Sequence, residues 1–404
     1  MAMLRSLSLV LRCLVLFLAL GVPGQTVAQA GVGLAALQGA ADAGDAAAQR
    51  RLGDLYRNGA GVLQNYARAA SYYASAAEQG DANAQNSLAV LYASGLGVDA
   101  DPARAFSLFS QAVAAGDPRH LHDLATAYEN GIGTDPDPAR AAEFYARAAA
   151  LGWQDAAVSL GVLYQEGRGV AQDIARAAEL YAAPANAGHA RAQNNLGLIH
   201  VRGEGLAQDY EQAAKWFGLA AEQGLPVALN NLGVLYQNGY GVAQDESEAT
   251  RLYKLAAQLS GTGAQGLTLI YDPRLMPADP EQAQAYLTAA RAGDPLGQFL
   301  TGYLLASSAQ SNADFRAAAR WFERAAAQGA PAAMANLGLL NFEGKGALQD
   351  FVEGYKWLTL AAASGLPGAI AARDSLAGRM TPGQINAANQ AADTVWRALE
   401  ADAD

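Results

Sequence analysis

The chain has 404 residues, is rich in alanine and glycine, and carries a formal charge of −11 although only 16% of its residues are charged. An acidic chain of this kind is a poor candidate for binding nucleic acid or anionic lipid surfaces. The one cysteine, Cys13, lies in an N-terminal apolar run, so the rest of the chain has neither disulfides nor thiol chemistry.

The first thirty residues have the pattern of a secretory signal peptide. Arg5 and Arg12 precede the apolar run CLVLFLALGV (13–22), and the small residues AQA (28–30) fit a cleavage site. The run is too short to indicate a membrane span. Cleavage takes the net charge from −11 to −13, because two arginines and no acidic residue are lost. We therefore expect an exported protein that is soluble after cleavage and does not insert into a membrane.

From residue 46 to residue 365 the chain repeats itself, mostly every 36 residues, in nine units that we number one to nine. A glycine recurs at this spacing, except that Ser260 takes its place once and only 33 residues separate Ser260 from Gly293. The series is Gly44, Gly80, Gly116, Gly152, Gly188, Gly224, Ser260, Gly293, Gly329 and Gly365. Each unit holds two apolar stretches with helical periodicity, and in seven of the nine units a GxG turn such as Gly203–Gly205 separates them. Such a unit accommodates two helices of about 12–14 residues with two turns.

An aspartate or asparagine precedes the second helix of every unit. These residues are Asn65, Asp101, Asp137, Asp173, Asp209, Asp245, Asp279, Asp314 and Asp350. A side-chain oxygen at this position can accept hydrogen bonds from the free amides of the first turn, which stabilises a helix by about 1 kcal/mol. The pattern predicts nine capped second helices.

Two ladders of apolar residues run through the units. The first helices share a leucine: Leu52, Leu88, Leu124, Leu160, Leu196, Leu232, Leu300 and Leu337. The second helices share an aromatic residue: Tyr73, Phe109, Tyr145, Tyr181, Phe217, Tyr253 and Phe322. We interpret both ladders as core between units and not as a cofactor site, because each unit must bury its apolar faces against its neighbours.

Units seven and eight depart from this pattern. Residues 270–280 (IYDPRLMPADP) replace the GxG turn in unit seven, and residues 307–314 replace it in unit eight. The prolines of the first stretch preclude a continuous helix there. A partner-binding loop, a hinge and decay of the repeat all remain open, and Tyr271, Arg274 and Met276 are the candidate binding residues.

The repeats predict an all-α fold, a helical solenoid. Residues 31–45 resemble half of a leading repeat. Residues 366–404 are expected to form capping helices, because the apolar stripe of the last one suits a lid on the core.

Signatures of catalysis and of metal binding are scarce. The sequence has no HExxH, no P-loop and no GxSxG in a strand–turn–helix setting. Of the four histidines, His120 and His122 are two residues apart and point in different directions on a helix, and His200 stands where other units have tyrosine. The match of GTGAQG (261–266) to a dinucleotide-binding motif has no preceding strand. We therefore expect no cofactor, no metal and no enzymatic activity.

The unit AQNNLGLIHVRGEGLAQDYEQAAKWFGLAAEQG resembles the Sel1-like repeat, a relative of the tetratricopeptide repeat. The similarity lies in the LG, GxGV, QD, KA and AAxxG positions and extends over residues 46–365. The resemblance implies a right-handed α-solenoid whose first helices line a concave face and which binds other proteins without catalysis. It also implies, for an exported bacterial member, a place in the periplasm and a role in sensor control, envelope assembly or exopolysaccharide control.

The two residues before each ladder leucine are expected to face the concave groove. They include Asn194, Asn195, Asn230, Asn231, Gln298, Phe299 and Asn336. An asparagine carries both a donor and an acceptor, so a row of them could bind the backbone of an extended peptide. Alternatively, these amides bridge neighbouring helices and stiffen the superhelix. The two interpretations are compatible with each other.

The sequence thus favours a non-enzymatic periplasmic scaffold that binds one or more envelope proteins through its groove. The competing hypothesis is a scaffold for polysaccharide export or for the cell wall that binds glycan or a hydrolase. Groove-facing aromatic residues would favour sugars, but most aromatic residues here belong to the core ladders. This distribution favours a protein partner.

Overall fold

The computed structural model describes residues 23–59, 61–259 and 268–401. The apolar run of the predicted signal peptide and the GTGAQG stretch lie outside these residues. The described part contains twenty α-helices and no strand. In chain order they are α1 Pro23–Asp42, α2 Ala46–Asn58, α3 Tyr66–Glu78, α4 Ala82–Ser94, α5 Pro102–Ala112, α6 Pro118–Asn130, α7 Pro138–Ala150, α8 Gln154–Glu166, α9 Ile174–Asn186, α10 Ala190–Arg202, α11 Tyr210–Glu222, α12 Pro226–Asn238, α13 Glu246–Leu259, α14 Ala283–Arg291, α15 Pro295–Ser307, α16 Asn312–Ala327, α17 Pro331–Glu343, α18 Phe351–Ala363, α19 Ala369–Ala377 and α20 Pro382–Ala401.

The helices stack in chain order as an α-solenoid. Successive helices pack on each other from α1 through α13, and again from α14 through α19. The first helices of neighbouring units also contact one another, as α2 does with α4, α4 with α6 and α15 with α17. In a curved array the layer with the closer spacing lies on the inside. The first helices therefore line the concave face, as expected.

The predicted caps form, with one exception. The side chains of Asn65, Asp101, Asp137, Asp173, Asp209, Asp245 and Asp350 each accept a hydrogen bond from the backbone amide three residues on. Asp279 caps a short 3-10 turn. In unit eight the prediction for Asp314 was wrong, because α16 begins earlier. Ser311 caps that helix, and the Asp314 carboxylate in turn accepts a hydrogen bond from the backbone amide of Ser311 at 2.9 Å.

The GxG turn has a packing role in addition to its left-handed backbone. Gly133 has a φ of 71°, and a Cβ placed on it would lie 1.9 Å from the carbonyl oxygen of Pro102, at the start of the second helix of the preceding unit. Gly97 and Gly241 approach the preceding unit's backbone in the same way. This glycine therefore allows adjacent units to touch backbone to backbone, which no residue with a side chain permits.

The ladders are core, as interpreted. Leu52, Leu88 and Tyr73 are buried, and a Cβ on Gly53 would lie 2.5 Å from the ring of Tyr73. Units four, five and six repeat this contact between a first-helix glycine and a second-helix aromatic residue. The glycines thus set the close spacing of the two helices within a unit.

The structure corrects the register of unit eight. Gly302, which contacts the ring of Phe322, occupies the position of Gly197, which contacts Phe217. The residue before Gly302 is Thr301, so Thr301 and not Leu300 stands at the ladder position. The interval between repeats is shorter than 36 residues before this unit, so the shift of the ladder position by one residue was not apparent from the sequence. As a result, Phe299 is equivalent to Asn194, two residues before the ladder position.

Unit seven has no helix between residues 268 and 279, so its first described helix is α14. Leu269, Ile270, Tyr271 and Leu275 instead pack as a non-helical segment against the core of units eight and nine. The departure from the repeat pattern at residues 270–280 therefore corresponds to a real change of structure.

The two ends of the array meet. The Tyr355 hydroxyl of α18 donates a hydrogen bond to Gln64 Oε1 of unit one at 3.0 Å. The buried Arg373 of α19 donates from Nη2 to the Asn58 carbonyl at 2.8 Å. Asn386 of α20 bonds both the carbonyl of Gly95 (3.0 Å) and the amide of Gly97 (2.9 Å). The capping helices α19 and α20 thus join units one and two to unit nine, at a boundary that we call the seam.

Candidate binding face

The candidate binding face is the concave surface formed by the first helices. Its middle part lies on α8, α10 and α12, and its last part on α15 and α17. The side chains two residues and one residue before the ladder position project at the junction between successive units. We call these the −2 and −1 positions.

In units five and six the predicted asparagines bridge the helices. Asn194, at −2 in unit five, is buried, and its Oδ1 accepts a hydrogen bond from Asn231 Nδ2, at −1 in unit six, at 2.9 Å. Asn194 Nδ2 lies 3.4 Å from Asn195 Oδ1. Asn86 and Asp123 make the same −2 to −1 bridge between units two and three at 2.7 Å. The bridging interpretation therefore describes Asn194 and Asn231, and it recurs along the array.

Asn230 differs from its neighbours because it is exposed. It lies between Val227 and Val234 on α12, three residues after the first and four before the second, so the three side chains share one face of the helix. Val227 is 48% exposed and Val234 is 46% exposed. This stripe presents two apolar side chains and one amide with both a donor and an acceptor.

In units eight and nine the corresponding surface is covered. Asn336, at −1 in unit nine, is 0% exposed. Its Oδ1 accepts from the amide of Ile270 at 2.9 Å, and its Nδ2 donates to the carbonyl of Ile270 at 2.7 Å. Nδ2 also donates to the carbonyl of Ala332 at 2.8 Å. The side chain of Asn336 therefore binds main chain from unit seven.

The other three predicted residues, Tyr271, Arg274 and Met276, lie on the non-helical segment of unit seven, residues 268–279. The ring of Tyr271 stands edge-on to Tyr303, with ring centroids 4.9 Å apart, and its hydroxyl donates to the carbonyl of Met276. Arg274 pairs with Asp272 at 2.7 Å, and this guanidinium lowers the pKa of the Asp272 carboxyl. The side chain of Met276 is 82% exposed. Tyr271 and Asn336 are thus brought together, whereas Met276 faces solvent.

At the other end of the face, a polar cavity of about 530 Å³ lies between the first helices of units one to three. Three arginines line it, and each is paired within the chain. Arg50 contacts Asp81 at 3.1 Å, Arg57 contacts Asp54 at 3.6 Å and Arg119 contacts Asp117 at 3.0 Å. Hydrogen bonding from Arg119 lowers the pKa of Asp117. These pairs offset one another's charge, so the cavity is not a strong anion site.

Within the described part of the chain, no three histidine, aspartate or glutamate side chains come together to hold a metal ion. His120 is buried against the carbonyl of Ala112, and His189 caps α10 while contacting Asp155 at 2.9 Å. No helix of the described residues is long and apolar enough to cross a membrane. The concave face is suited to binding through amide and apolar side chains.

Two features of the structure were not predicted from the sequence. The first is the seam. Leu63 was a signal for it, because a leucine stands there at the position where the turns of units four to six have alanine. Leu63 is buried at the seam, whereas its counterpart Leu348 in unit nine is 91% exposed. The second feature is the aromatic surface that Phe299 and Tyr303 offer to Tyr271. It was not predicted because the register of unit eight was assigned one residue too early.

The Sel1 repeat family matches the chain nine times, at residues 46–81, 82–117, 121–153, 154–189, 190–225, 226–260, 269–294, 295–329 and 331–366. The short seventh match coincides with the unit whose segment 268–279 is not helical. No curated protein matches the chain significantly.

Two of the solved structures that are similar to this chain come from bacteria. One is c5321, described as a protective antigen present in uropathogenic Escherichia coli strains displaying an SLR fold, with 28% identity and a TM-score of 0.50 over 89% of this chain and 85% of that one. The other is a Sel1 repeat protein from Oxalobacter formigenes, with 30% identity and a TM-score of 0.49 over 52% of this chain and 85% of that one. The nine matches establish that the chain belongs to the Sel1 repeat family, whose members act as scaffolds that bind other proteins and are generally not catalytic.

Proposed function

We propose that this protein is an exported, periplasmic scaffold that binds an extended segment of an envelope protein along the concave face of units four to six. The observation that carries the proposal is the exposed stripe of Val227, Asn230 and Val234 on α12. The predicted signal peptide supports the location.

The chemistry of the stripe favours a polypeptide over a glycan. The amide of Asn230 can pair with a backbone N–H and C=O, and the two valines can cover apolar side chains on either side of that backbone. Sugar-binding surfaces rely on exposed aromatic rings, whereas the ladder aromatics Tyr145, Tyr181 and Phe217 are buried. The neighbouring bridge between Asn194 and Asn231 holds the two helices in register and so fixes the surface in advance.

Affinity capture of the tagged, exported protein tests this function. In one variant Val227 and Val234 both become aspartate, and in the matched control Leu219, exposed on the second helix α11, becomes aspartate. We expect an envelope protein to be captured by the unmodified chain and by Leu219→Asp, but not by the double variant. Equal capture by all three would place the contact elsewhere. Retention of glycan in place of protein would support the polysaccharide scaffold.

A further inference from the structure

Residues 269–272 cross the concave face of units eight and nine as a peptide would. Both main-chain groups of Ile270 bond the single side chain of Asn336, at 2.9 and 2.7 Å. The N–H and C=O of one residue point to the same side only where the backbone is extended. Asn336 therefore holds an extended main chain, in a way that does not depend on which side chain Ile270 carries.

The origin of this contact lies in the −2 and −1 positions. Between units five and six these positions hold Asn194 and Asn231, which bond each other at 2.9 Å. Between units eight and nine they hold Phe299 and Asn336. Phenylalanine has no side-chain donor or acceptor, so the amide of Asn336 is released from the bridge and binds the main chain of Ile270 instead.

Phe299 supplies the second half of the contact. Its ring and that of Tyr303 lie 5.7 and 4.9 Å from the ring of Tyr271, measured between centroids. Two successive residues, Ile270 and Tyr271, thus meet an amide and an aromatic surface on two successive units. The next residue, Asp272, is buried and pairs with the exposed Arg274 at 2.7 Å.

The segment has few hydrogen bonds between its own backbone groups. Within residues 268–279 the backbone hydrogen bond between its own residues runs from the amide of Leu275 to the carbonyl of Asp272. The side chains of Arg274 and Met276 are exposed. Segments with few backbone bonds and partial burial open at a lower free energy than the helical core.

We propose that Asn336, Phe299 and Tyr303 form a second peptide-binding site, which residues 269–272 occupy as an internal ligand. The competing occupant is an extended partner segment with an apolar residue followed by an aromatic one. This inference rests on the proposed function, since the replacing segment belongs to a bound partner. Occupation by the chain's own residues lowers the apparent affinity of the site for a partner.

A fluorescent peptide with the sequence of residues 268–276, TLIYDPRLM, tests the site by anisotropy against the whole exported chain. Tyr271→Ala removes the internal aromatic anchor, and we expect this variant to bind the peptide at least about tenfold more tightly than the unmodified chain does. Adding Asn336→Ala to Tyr271→Ala should abolish that gain. Met276→Ala, which changes an exposed side chain of the same segment, should bind like the unmodified chain.

Equal binding by Tyr271→Ala and the unmodified chain would show that the segment is a structural plug, and would overturn the inference. If Tyr271→Ala loses its helical circular dichroism, the proposal is tested instead by hydrogen exchange of the unmodified chain with and without peptide. Saturating peptide should speed the exchange of the Ile270 amide, and an unchanged rate would refute the proposal. Partner capture through Val227 and Val234 is independent of both results, so failure of this site and failure of the proposed function can be told apart.

Discussion

Tyr355 in unit nine donates a hydrogen bond to Gln64 in unit one, so residues 291 positions apart close the helical array. Gln64 Nε2 in turn donates to the carbonyl of Arg57 at 2.9 Å, inside its own unit. Both side chains are buried. The turn of unit one therefore positions Gln64 for the hydrogen bond that closes the array. This closure restricts changes in the curvature of the concave face.

Tyr355→Phe should weaken this closure. The variant leaves Gln64 Oε1 buried without its donor, and we expect the free energy of unfolding in urea to fall by about 1–2 kcal/mol. Tyr253→Phe is the matched control, because Tyr253 donates to Gln237 at 2.9 Å in an exposed setting and should change stability less. A loss for Tyr253→Phe as large as that for Tyr355→Phe would show that burial at the seam adds nothing.

Alkaline pH should destabilise the seam. Burial raises the pKa of Tyr355 and of Tyr66 above the ordinary value of 10.0. The folded chain thus keeps phenol protons that the unfolded chain releases, so this contribution is present below about pH 10 and is lost as the pH rises further. Urea midpoints measured across this range should fall, and less steeply in Tyr355→Phe. An equal slope in that variant would contradict the assignment.

Two glycines separate the cost of a left-handed backbone from the cost of contact between units. Gly61 and Gly133 have φ values of 73° and 71°, but a Cβ meets open space at Gly61 and the carbonyl of Pro102 at Gly133. We expect Gly61→Ala to lower the free energy of unfolding by about 1–2 kcal/mol. Gly133→Ala should lower it by a further 1–3 kcal/mol or so, because units three and two must move apart. Equal losses in thermal unfolding would mean that the contact is unimportant.

Asn194 and Asn230 occupy the same position in successive units but should respond differently to alanine. Asn194 is buried in the bridge to Asn231, so Asn194→Ala should reduce the free energy of unfolding by about 1–2 kcal/mol. Asn230 is exposed, so Asn230→Ala should stay within about 0.5 kcal/mol of the unmodified chain and reduce partner binding instead. Denaturation and partner capture on the same two variants check this. A stability loss for Asn230→Ala would argue against its role in binding.

Most of the fold could be predicted from the sequence because it is periodic. A cap such as Asp209 and a ladder residue such as Phe217 recur in register, and each contact joins a unit to its neighbour. The predicted register failed at Leu300, because the interval between units changes there and the true ladder position holds Thr301 directly after that leucine.

The seam and the covered site could not be predicted in the same way. Tyr355 and Gln64 meet through the curvature accumulated over all the units, which no local pattern records. The prolines after Ile270 indicated that the segment is not helical, but not that it lies against Asn336. The asparagines carried a further ambiguity, because one side chain type serves as a bridge at Asn194 and as an exposed donor and acceptor at Asn230.

The most direct test of the proposed scaffold is site-specific photocrosslinking in cells from Val162, Leu198 and Val234. These residues occupy equivalent positions on the concave face of units four, five and six, at intervals of 36. A photoreactive residue at each, and at Leu219 as the outer control, would be followed by mass spectrometry of the captured peptide. The account predicts that the three inner positions capture successive sites of one stretch of one envelope protein, and that Leu219 does not. Capture from Leu219 alone, or scattered sites from the inner positions, would contradict binding of an extended segment along this face.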